Sequence, residues 1–195
     1  NIAVAAAGRL KGGAAKVSVI SSALFGSISG SASANVASTG MVTLPTMRRL
    51  GYPKHVAAAV EAVASTGGQI MPPLMGAGAF VMVELTGIPY NQIIVAALIP
   101  AILYFATIWI GVNRYAEIHN LKPYDQTMLP SAALVVKTSL FFFIPFTVLL
   151  FIMYTGFTPQ FAAAVAISSA ALLLLIDFEL RPDLKRTLHR LCETA

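Results

Sequence analysis

Residues 26–40 read GSISGSASANVASTG, and this stretch decides how the chain has to fold. Twelve of its fifteen residues are Gly, Ala, Ser or Thr, and only Ile28 and Val36 are large and apolar. The stretch lies inside an uncharged segment that runs from residue 17 to residue 47. A helix that contacts lipid needs large apolar side chains, so this segment must lie against protein or line a wet cavity.

The composition of the whole chain is that of an integral membrane protein. Of its 195 residues, 57% are hydrophobic and 11% are charged, whereas an ordinary soluble domain has about 25% charged residues. Three segments without charge are each longer than the ~20 residues that cross a bilayer. The predicted crossings are residues 55–83, 91–113, 138–154 and 160–177. We therefore predict an all-α, multi-pass protein of the lipid bilayer.

The distribution of charge indicates what residues 17–47 do. If this segment enters and leaves on one side, all thirteen Lys and Arg residues lie on that side; if it crosses once, the split is ten to three. The positive-inside rule favours the first arrangement and places the basic side in the cytoplasm. We therefore predict a re-entrant hairpin with half-length helices at 17–29 and 35–47 and a turn at 30–34.

The crossing at 55–83 also contains an interruption. Its 29 residues are about nine more than a straight crossing needs, and Ser65 to Pro73 read STGGQIMPP, which disfavours regular helix. A broken helix is predicted, with helical parts at 55–64 and 74–83.

The predicted organisation has five parts: 1–16, the end of a preceding helix and a cytoplasmic segment; 17–113, the hairpin, the broken helix and the next transmembrane helix; 114–137, a cytoplasmic loop; 138–177, two transmembrane helices; and 178–195, a cytoplasmic amphipathic tail.

Two neighbouring interruptions of this kind are typical of the substrate and ion site of a secondary transporter. Helix N-termini favour anions, and hydroxyl, amide and carbonyl oxygens suit a hard cation such as Na⁺. The candidate substrate and ion residues are Ser29, Gly30, Ser31, Ser33, Asn35, Ser65, Thr66, Gly67, Gly68, Gln69 and Pro72. Within this set, Ser31, Ser33, Asn35, Ser65 and Thr66 are predicted to surround one Na⁺. Alternatively, Gly26 and Gly30 form a GxxxG motif that serves helix packing and binds no ligand.

Other chemistry is poorly supported. Glu61 follows Lys54 by seven residues and is predicted to pair with it near the membrane interface, with a role as proton carrier as the alternative. Hydrophobic segments separate the basic residues behind the net charge of +5, which argues against a nucleic-acid surface. The single cysteine and three scattered histidines offer no metal cluster, and no combination of nucleophile and base indicates an enzyme.

Two long motifs resemble a known family. GGAAKVSVISSALFGSISGSASANVASTG (12–40), followed by Gly-Tyr-Pro at 51–53 and AAAVEAVASTGGQIMPP (57–73), resembles the large membrane subunit of tripartite ATP-independent periplasmic (TRAP) transporters. The resemblance covers about residues 8–100 and is closest to the fused permeases of the TAXI branch. It implies half of an ion-transporter-superfamily fold, elevator movement, a Na⁺ or H⁺ gradient as energy source, and a periplasmic substrate-binding protein. Asn35 stands where many other members carry Asp, so no carboxylate role is carried over.

The expected function is that of a permease subunit in a bacterial or archaeal cytoplasmic membrane. Its expected cargo is a small organic anion such as a dicarboxylate, a 2-oxo acid or an acidic amino acid, with sodium symport or proton coupling and no other cofactor. The alternative is an ion channel or a structural membrane subunit in which the Gly/Ser segment is a packing seam. Because the chain opens on Asn1 and an apolar run, we expect an internal piece of a longer permease whose remainder supplies a second hairpin.

Overall fold

The computed structural model describes residues 2–124 and 130–176, and these residues form helices joined by loops, with no strand among them. The predicted all-helical class is therefore confirmed for the described part of the chain. The helices are α1 (Ile2–Ala7), α2 (Gly13–Ser29), α3 (Ala32–Arg49), α4 (Lys54–Gly67), a 3₁₀ turn (Gly68–Ile70), α5 (Gly78–Thr86), α6 (Tyr90–Ile118), α7 (Ala132–Tyr154) and α8 (Pro159–Ile176).

Helices α2 and α3 pack against each other, and only Gly30 and Ser31 separate them. Gly30 has a φ of 60°, and its N–H donates to Gly26 O at 2.9 Å, which ends α2. Ser31 Oγ accepts from Ala34 N at 3.4 Å and begins α3. This serine cap makes the turn two residues long instead of the predicted five. The two helices have 17 and 18 residues, about 26 Å each, and are longer than predicted.

The interruption after α4 begins later than predicted. Helix α4 continues through the predicted break to Gly67, and the 3₁₀ turn follows without a gap. Both Gly67 and Gly68 keep helical backbone angles, whereas Met71 is extended. The reason is that Met71 precedes Pro72, and the proline ring disfavours helical angles in the residue before it. The proline pair, and not the glycine pair, therefore ends the helix; α5 starts only at Gly78.

The core beneath these elements is built from small side chains. Its buried residues come from α2, α3, α4, α6 and the α3–α4 loop: Ala14, Ala15, Val19, Met47, Tyr52, Ala57, Ala64 and Val112. Because so many of them are alanines, the helix backbones can approach closely.

The Tyr52 phenol donates to Gly12 O at 3.2 Å, and burial raises its pKa to about 12. It therefore remains a hydrogen-bond donor at neutral pH.

Among residues 2–124 and 130–176, two helices are long and apolar enough to cross a membrane, at 90–118 and 133–154, whereas α2 and α8 are shorter apolar helices. Helix α6 runs five residues past the predicted end at 113, and α7 begins before 138. The predicted loop at 114–137 is thus helical at both ends, with residues 125–129 outside the described part. The chain divides into two compact units, 1–135 and 136–195. The predicted amphipathic tail at 178–195 lies outside the described residues.

Candidate functional site

The first feature of the candidate site is a backbone contact between the hairpin and the broken helix. A Cβ atom added to Gly26 would lie 2.2 Å from Gly68 Cα, so α2 meets the start of the 3₁₀ turn with no side chain between them. Farther along, Leu74 N–H donates to Ser27 O at 3.1 Å. The GxxxG motif therefore does serve packing, and the surface that Gly26 packs against is the 3₁₀ turn that follows α4.

Asn35 joins three helices at this contact. Its side chain is fully buried, and Nδ2 donates to Ser22 O on α2 at 2.9 Å and to Ser65 O on α4 at 3.4 Å. Its own helix is α3. Of the predicted site residues, Asn35 therefore bonds to both the partner helix of the hairpin and the broken helix.

A cleft of about 800 Å³ lies beside the hairpin turn, between the interruption and α6. Its polar end contains Gly30, Ser31, Gln69 and Gly76, and its walls are apolar apart from Thr86. The residues of these walls include Met75, Ala79, Met82, Ile93, Ala97 and Pro100. A small molecule with one charged end and a carbon skeleton would match this division.

The five predicted Na⁺ ligands lie in three different places in the structure, as their hydrogen bonds show. Asn35 and Ser65 lie together in the buried contact. Ser31 and Ser33 lie at the hairpin turn, with their hydroxyl oxygens 3.2 Å apart. Thr66 is exposed and donates to Ala62 O at 2.8 Å within its own helix. One cation site that includes all five residues stays a prediction.

The remaining predicted residues serve the turn, the packing and the cleft. Ser29 is exposed, and its Oγ accepts from Ser31 N at 3.5 Å. Gly67 packs under the ring of Tyr104, because a Cβ there would lie 2.4 Å from a ring carbon. Pro72 is buried, whereas Gln69 is exposed and lines the cleft.

Glu61 belongs to the site, although the sequence interpretation placed it elsewhere. Its side chain is only 1% exposed, and its carboxylate accepts from Ser18 Oγ at 2.7 Å, from Thr43 Oγ1 at 2.5 Å and from Thr39 Oγ1. The predicted ion pair with Lys54 is absent from the described structure, in which Lys54 is exposed.

A signal for this cluster was present in the sequence. Polar residues recur at a spacing of four on each of the three helices, and this spacing places them on one face of a helix. The pairs and triplet are Ser18 and Ser22 on α2; Asn35, Thr39 and Thr43 on α3; and Glu61 and Ser65 on α4. Three matching polar stripes on adjacent helices predict a shared polar layer.

Lys16, which the sequence prediction places at the end of a cytoplasmic segment, is buried against a neighbouring helix. It falls in the first turns of α2 and is 3% exposed. Its Nζ donates to Asn113 Oδ1 on α6 at 2.5 Å and lies 5.1 Å from the centre of the Trp109 ring. The contact fastens the base of the hairpin to the long helix α6.

Comparisons with known proteins match the amino-acid sequence of this chain to a family. The model of the family described as "Tripartite ATP-independent periplasmic transporter, DctM component" matches residues 1–195. The chain is 27% identical over 179 residues to the "C4-dicarboxylate TRAP transporter large permease protein DctM" of Pseudomonas aeruginosa, covering 91% of the chain and 42% of the relative. It is 30% identical over 168 residues to the Vibrio cholerae protein of the same name, covering 84% and 36%.

A shorter match is to the "Isethionate TRAP transporter permease protein DctMQ" of Oleidesulfovibrio alaskensis. It is 40% identical over 73 residues, which is 37% of the chain and 12% of the relative. The chain thus spans less than half the length of each of these three relatives.

Proposed function

Since the chain belongs to the family of the DctM component, the large permease of tripartite ATP-independent periplasmic transporters, we propose that it forms one half of the substrate pathway through such a permease. In this proposal the complete permease imports a small organic anion, and an ion gradient supplies the energy. A periplasmic binding protein delivers the anion, and the remainder of the permease completes the pathway. Membership of the fused TAXI branch stays a prediction.

The observation that carries the proposal is the cleft where the hairpin turn meets the interrupted helix. Ser31 caps the N-terminus of α3 and lines this cleft. A helix N-terminus presents free N–H groups and partial positive charge, which favour a carboxylate or sulfonate. The apolar walls suit a short carbon chain. This chemistry fits the relatives, which are named for C4-dicarboxylates and isethionate.

The test of function is uptake of labelled succinate by the full-length permease in liposomes with its binding protein. Accumulation should need both the binding protein and an imposed Na⁺ or H⁺ gradient. Ala97→Phe places a ring in the cleft and should lower uptake by about tenfold or more, or about 1.4 kcal/mol. Val95→Phe is the matched control, because Val95 is 70% exposed on the same helix and does not line the cleft. Ion current that needs neither binding protein nor anion would indicate the channel alternative.

We further propose that α2 and α3 enter the membrane from the cytoplasm and return to it. Lys11 precedes α2 and Arg49 ends α3, so both lie at the end of the helix pair away from the turn, and both are exposed. Single cysteines at these positions, in a Cys192→Ser background, should both be labelled by a membrane-impermeant maleimide from the cytoplasmic side. Labelling of the two positions from opposite sides would contradict the hairpin.

A Na⁺ ion is the proposed coupling ion of the hairpin site, and oxygen atoms near Asn35 and Ser65 are its proposed ligands. Support comes from the position of this pair at the contact between hairpin and broken helix, where carbonyl and hydroxyl oxygens converge. In the uptake assay, an imposed Na⁺ gradient should drive accumulation of the anion. Replacing that Na⁺ gradient by a choline gradient should abolish accumulation. Uptake that is indifferent to Na⁺ would remove this part of the proposal.

A further inference from the structure

We propose that Tyr90 is a positioning residue of the cleft: its phenol hydroxyl holds the linking segment, residues 71–77, in the geometry that forms the cleft wall. The linking segment joins the 3₁₀ turn to α5. This inference deepens the proposed function, because a cleft that is held in shape binds its anion more tightly. Only that consequence for the anion rests on the proposed function. The fixing of the segment rests on the contacts of Tyr90.

The linking segment is short of its own hydrogen-bond donors. Its residues form no regular helix, and Pro72 and Pro73 have no backbone N–H group. The Pro73 side chain is fully buried. Lipid cannot hydrogen-bond to the carbonyl groups of irregular backbone at membrane depth, so those groups need donors from elsewhere in the protein.

Tyr90 supplies such a donor to two of these carbonyl groups. Its hydroxyl oxygen lies 2.8 Å from Leu74 O and 3.0 Å from Pro73 O, so its single hydrogen has two acceptors. Within residues 2–124 and 130–176, no other protein donor bonds to either carbonyl oxygen. The Tyr90 ring stacks on Phe80 of α5 with the ring centres 5.1 Å apart, which directs the hydroxyl. Because Tyr90 is the first residue of α6, this long helix anchors the segment.

The same segment also contacts the hairpin. Leu74 N–H donates to Ser27 O at 3.1 Å, and a Cβ atom added to Gly30 would lie 1.9 Å from Met75 O. Leu74 is therefore held at both of its polar backbone groups, the N–H by the hairpin and the C=O by Tyr90. Tyr90 thus connects the start of α6 to the hairpin through one residue of the linking segment.

The position of the segment shapes the cleft. Met75, Gly76 and Ala77 line the cleft, whereas Tyr90 is not one of the lining residues. Gly76 N–H also donates to Gln69 O at 2.8 Å, which ties the segment to the polar end of the cleft. Tyr90 therefore acts on a bound anion only through the residues that it holds in place.

Loss of the hydroxyl should lower the affinity for the anion and leave the transport step intact. Two carbonyl groups would lose their donor, so the linking segment would occupy other arrangements in part of the molecules. Apparent affinity falls in proportion to the fraction of molecules in which the cleft is formed. A saturating concentration of anion restores the formed cleft, so KM should rise while the maximum rate stays the same.

Hydrogen exchange of the full-length permease in nanodiscs tests the fixing of the segment without any substrate. Tyr90→Phe keeps the stacked ring and removes only the hydroxyl, and peptides covering residues 69–77 should then exchange about fivefold faster or more. Tyr104→Phe is the matched control, because it is the same change on the same helix. The Tyr104 hydroxyl donates to Val63 O at 2.9 Å, in α4. This control should leave the exchange of residues 69–77 unchanged.

Uptake of labelled succinate, with the binding protein present, tests the consequence for transport. Tyr90→Phe should raise KM about fivefold or more and keep the maximum rate within about twofold of the wild type. A merely structural role would instead reduce the amount of folded permease, which lowers the maximum rate at unchanged KM. Tyr90→p-aminophenylalanine retains an N–H donor on the ring, so it should return both KM and the exchange of residues 69–77 toward the wild-type values.

A second variant decides the test if Tyr90→Phe does not fold. Phe80→Leu removes the ring that directs the hydroxyl, so it should give smaller changes of the same kind in exchange and in KM. Unchanged exchange of residues 69–77 in the folded variants overturns the proposal, and so does a lower maximum rate at unchanged KM. Faster exchange in Tyr90→Phe, with no succinate uptake by the wild-type permease, would support the fixing of the segment and count against the proposed function alone.

Discussion

Gly26→Ala is expected to separate the hairpin from the broken helix and to destabilise the permease strongly. The added methyl group would lie 2.2 Å from Gly68 Cα, whereas carbon atoms in contact are normally about 3.5–4.0 Å apart. Because the obstacle is backbone, no side-chain rotation can relieve the clash. We expect a loss at the upper end of the about 1–3 kcal/mol typical of overpacking, or beyond it.

The measurement is the apparent melting temperature of the purified permease in detergent, compared with that of Gly111→Ala. Gly111 lies within α6, and a Cβ atom there would meet nothing within 4 Å. That control should be neutral or slightly stabilising, because alanine favours helix over glycine. Equal melting temperatures for both variants would show that the contact between Gly26 and Gly68 is looser than described.

Asn35→Asp is expected to produce the second large effect, although the two side chains have nearly the same shape. The amide nitrogen that donates to Ser22 O and Ser65 O would become an oxygen. Two carbonyl groups would then lose this donor and face a negative charge, and a buried unsatisfied group costs about 1–3 kcal/mol.

The destabilisation of this variant should lessen at acid pH, because a protonated carboxyl group can again donate one hydrogen bond. Thermal unfolding followed across pH measures this recovery. Asn91→Asp is the matched control: Asn91 is exposed in the first turn of α6, where a negative charge is favourable. A destabilisation that is the same at every pH would show that the buried hydrogen bonds of Asn35 are not its cause.

Much of this site was predictable because helix periodicity and turn chemistry act over short distances. The uncharged segment at 17–47, its small residues and the proline pair at 72–73 indicate a helix pair beside an interrupted helix. They also identify Asn35 and Ser65 as candidates. The predicted ends of the helices were less accurate. The serine cap at Ser31 begins α3 early, and Pro72 restricts the backbone of Met71. Both effects override the weaker conformational preferences of glycine.

The hydroxyl partners of Glu61 could not be deduced from the residues next to it in the sequence. Lys54 is seven residues away and looked like a natural partner, but the hydroxyl groups that surround the carboxylate come from residues 18, 39 and 43. Only the packing of α2 and α3 on α4 brings them together. In the same way, Lys16 finds its partner in Asn113, on a helix almost a hundred positions later.

The sequence by itself determined the all-helical fold of the described residues, the family and the two interruptions, because composition, periodicity and motif spacing are local properties of the chain. The tertiary structure alone decided which polar groups meet. Gly26 opposes Gly68, Asn35 joins three helices, and Glu61 lies among hydroxyl groups. These pairings depend on how each helix is rotated about its axis and on how closely the helices pack. Glycines without side chains permit the close packing. No single segment of the sequence specifies the rotation.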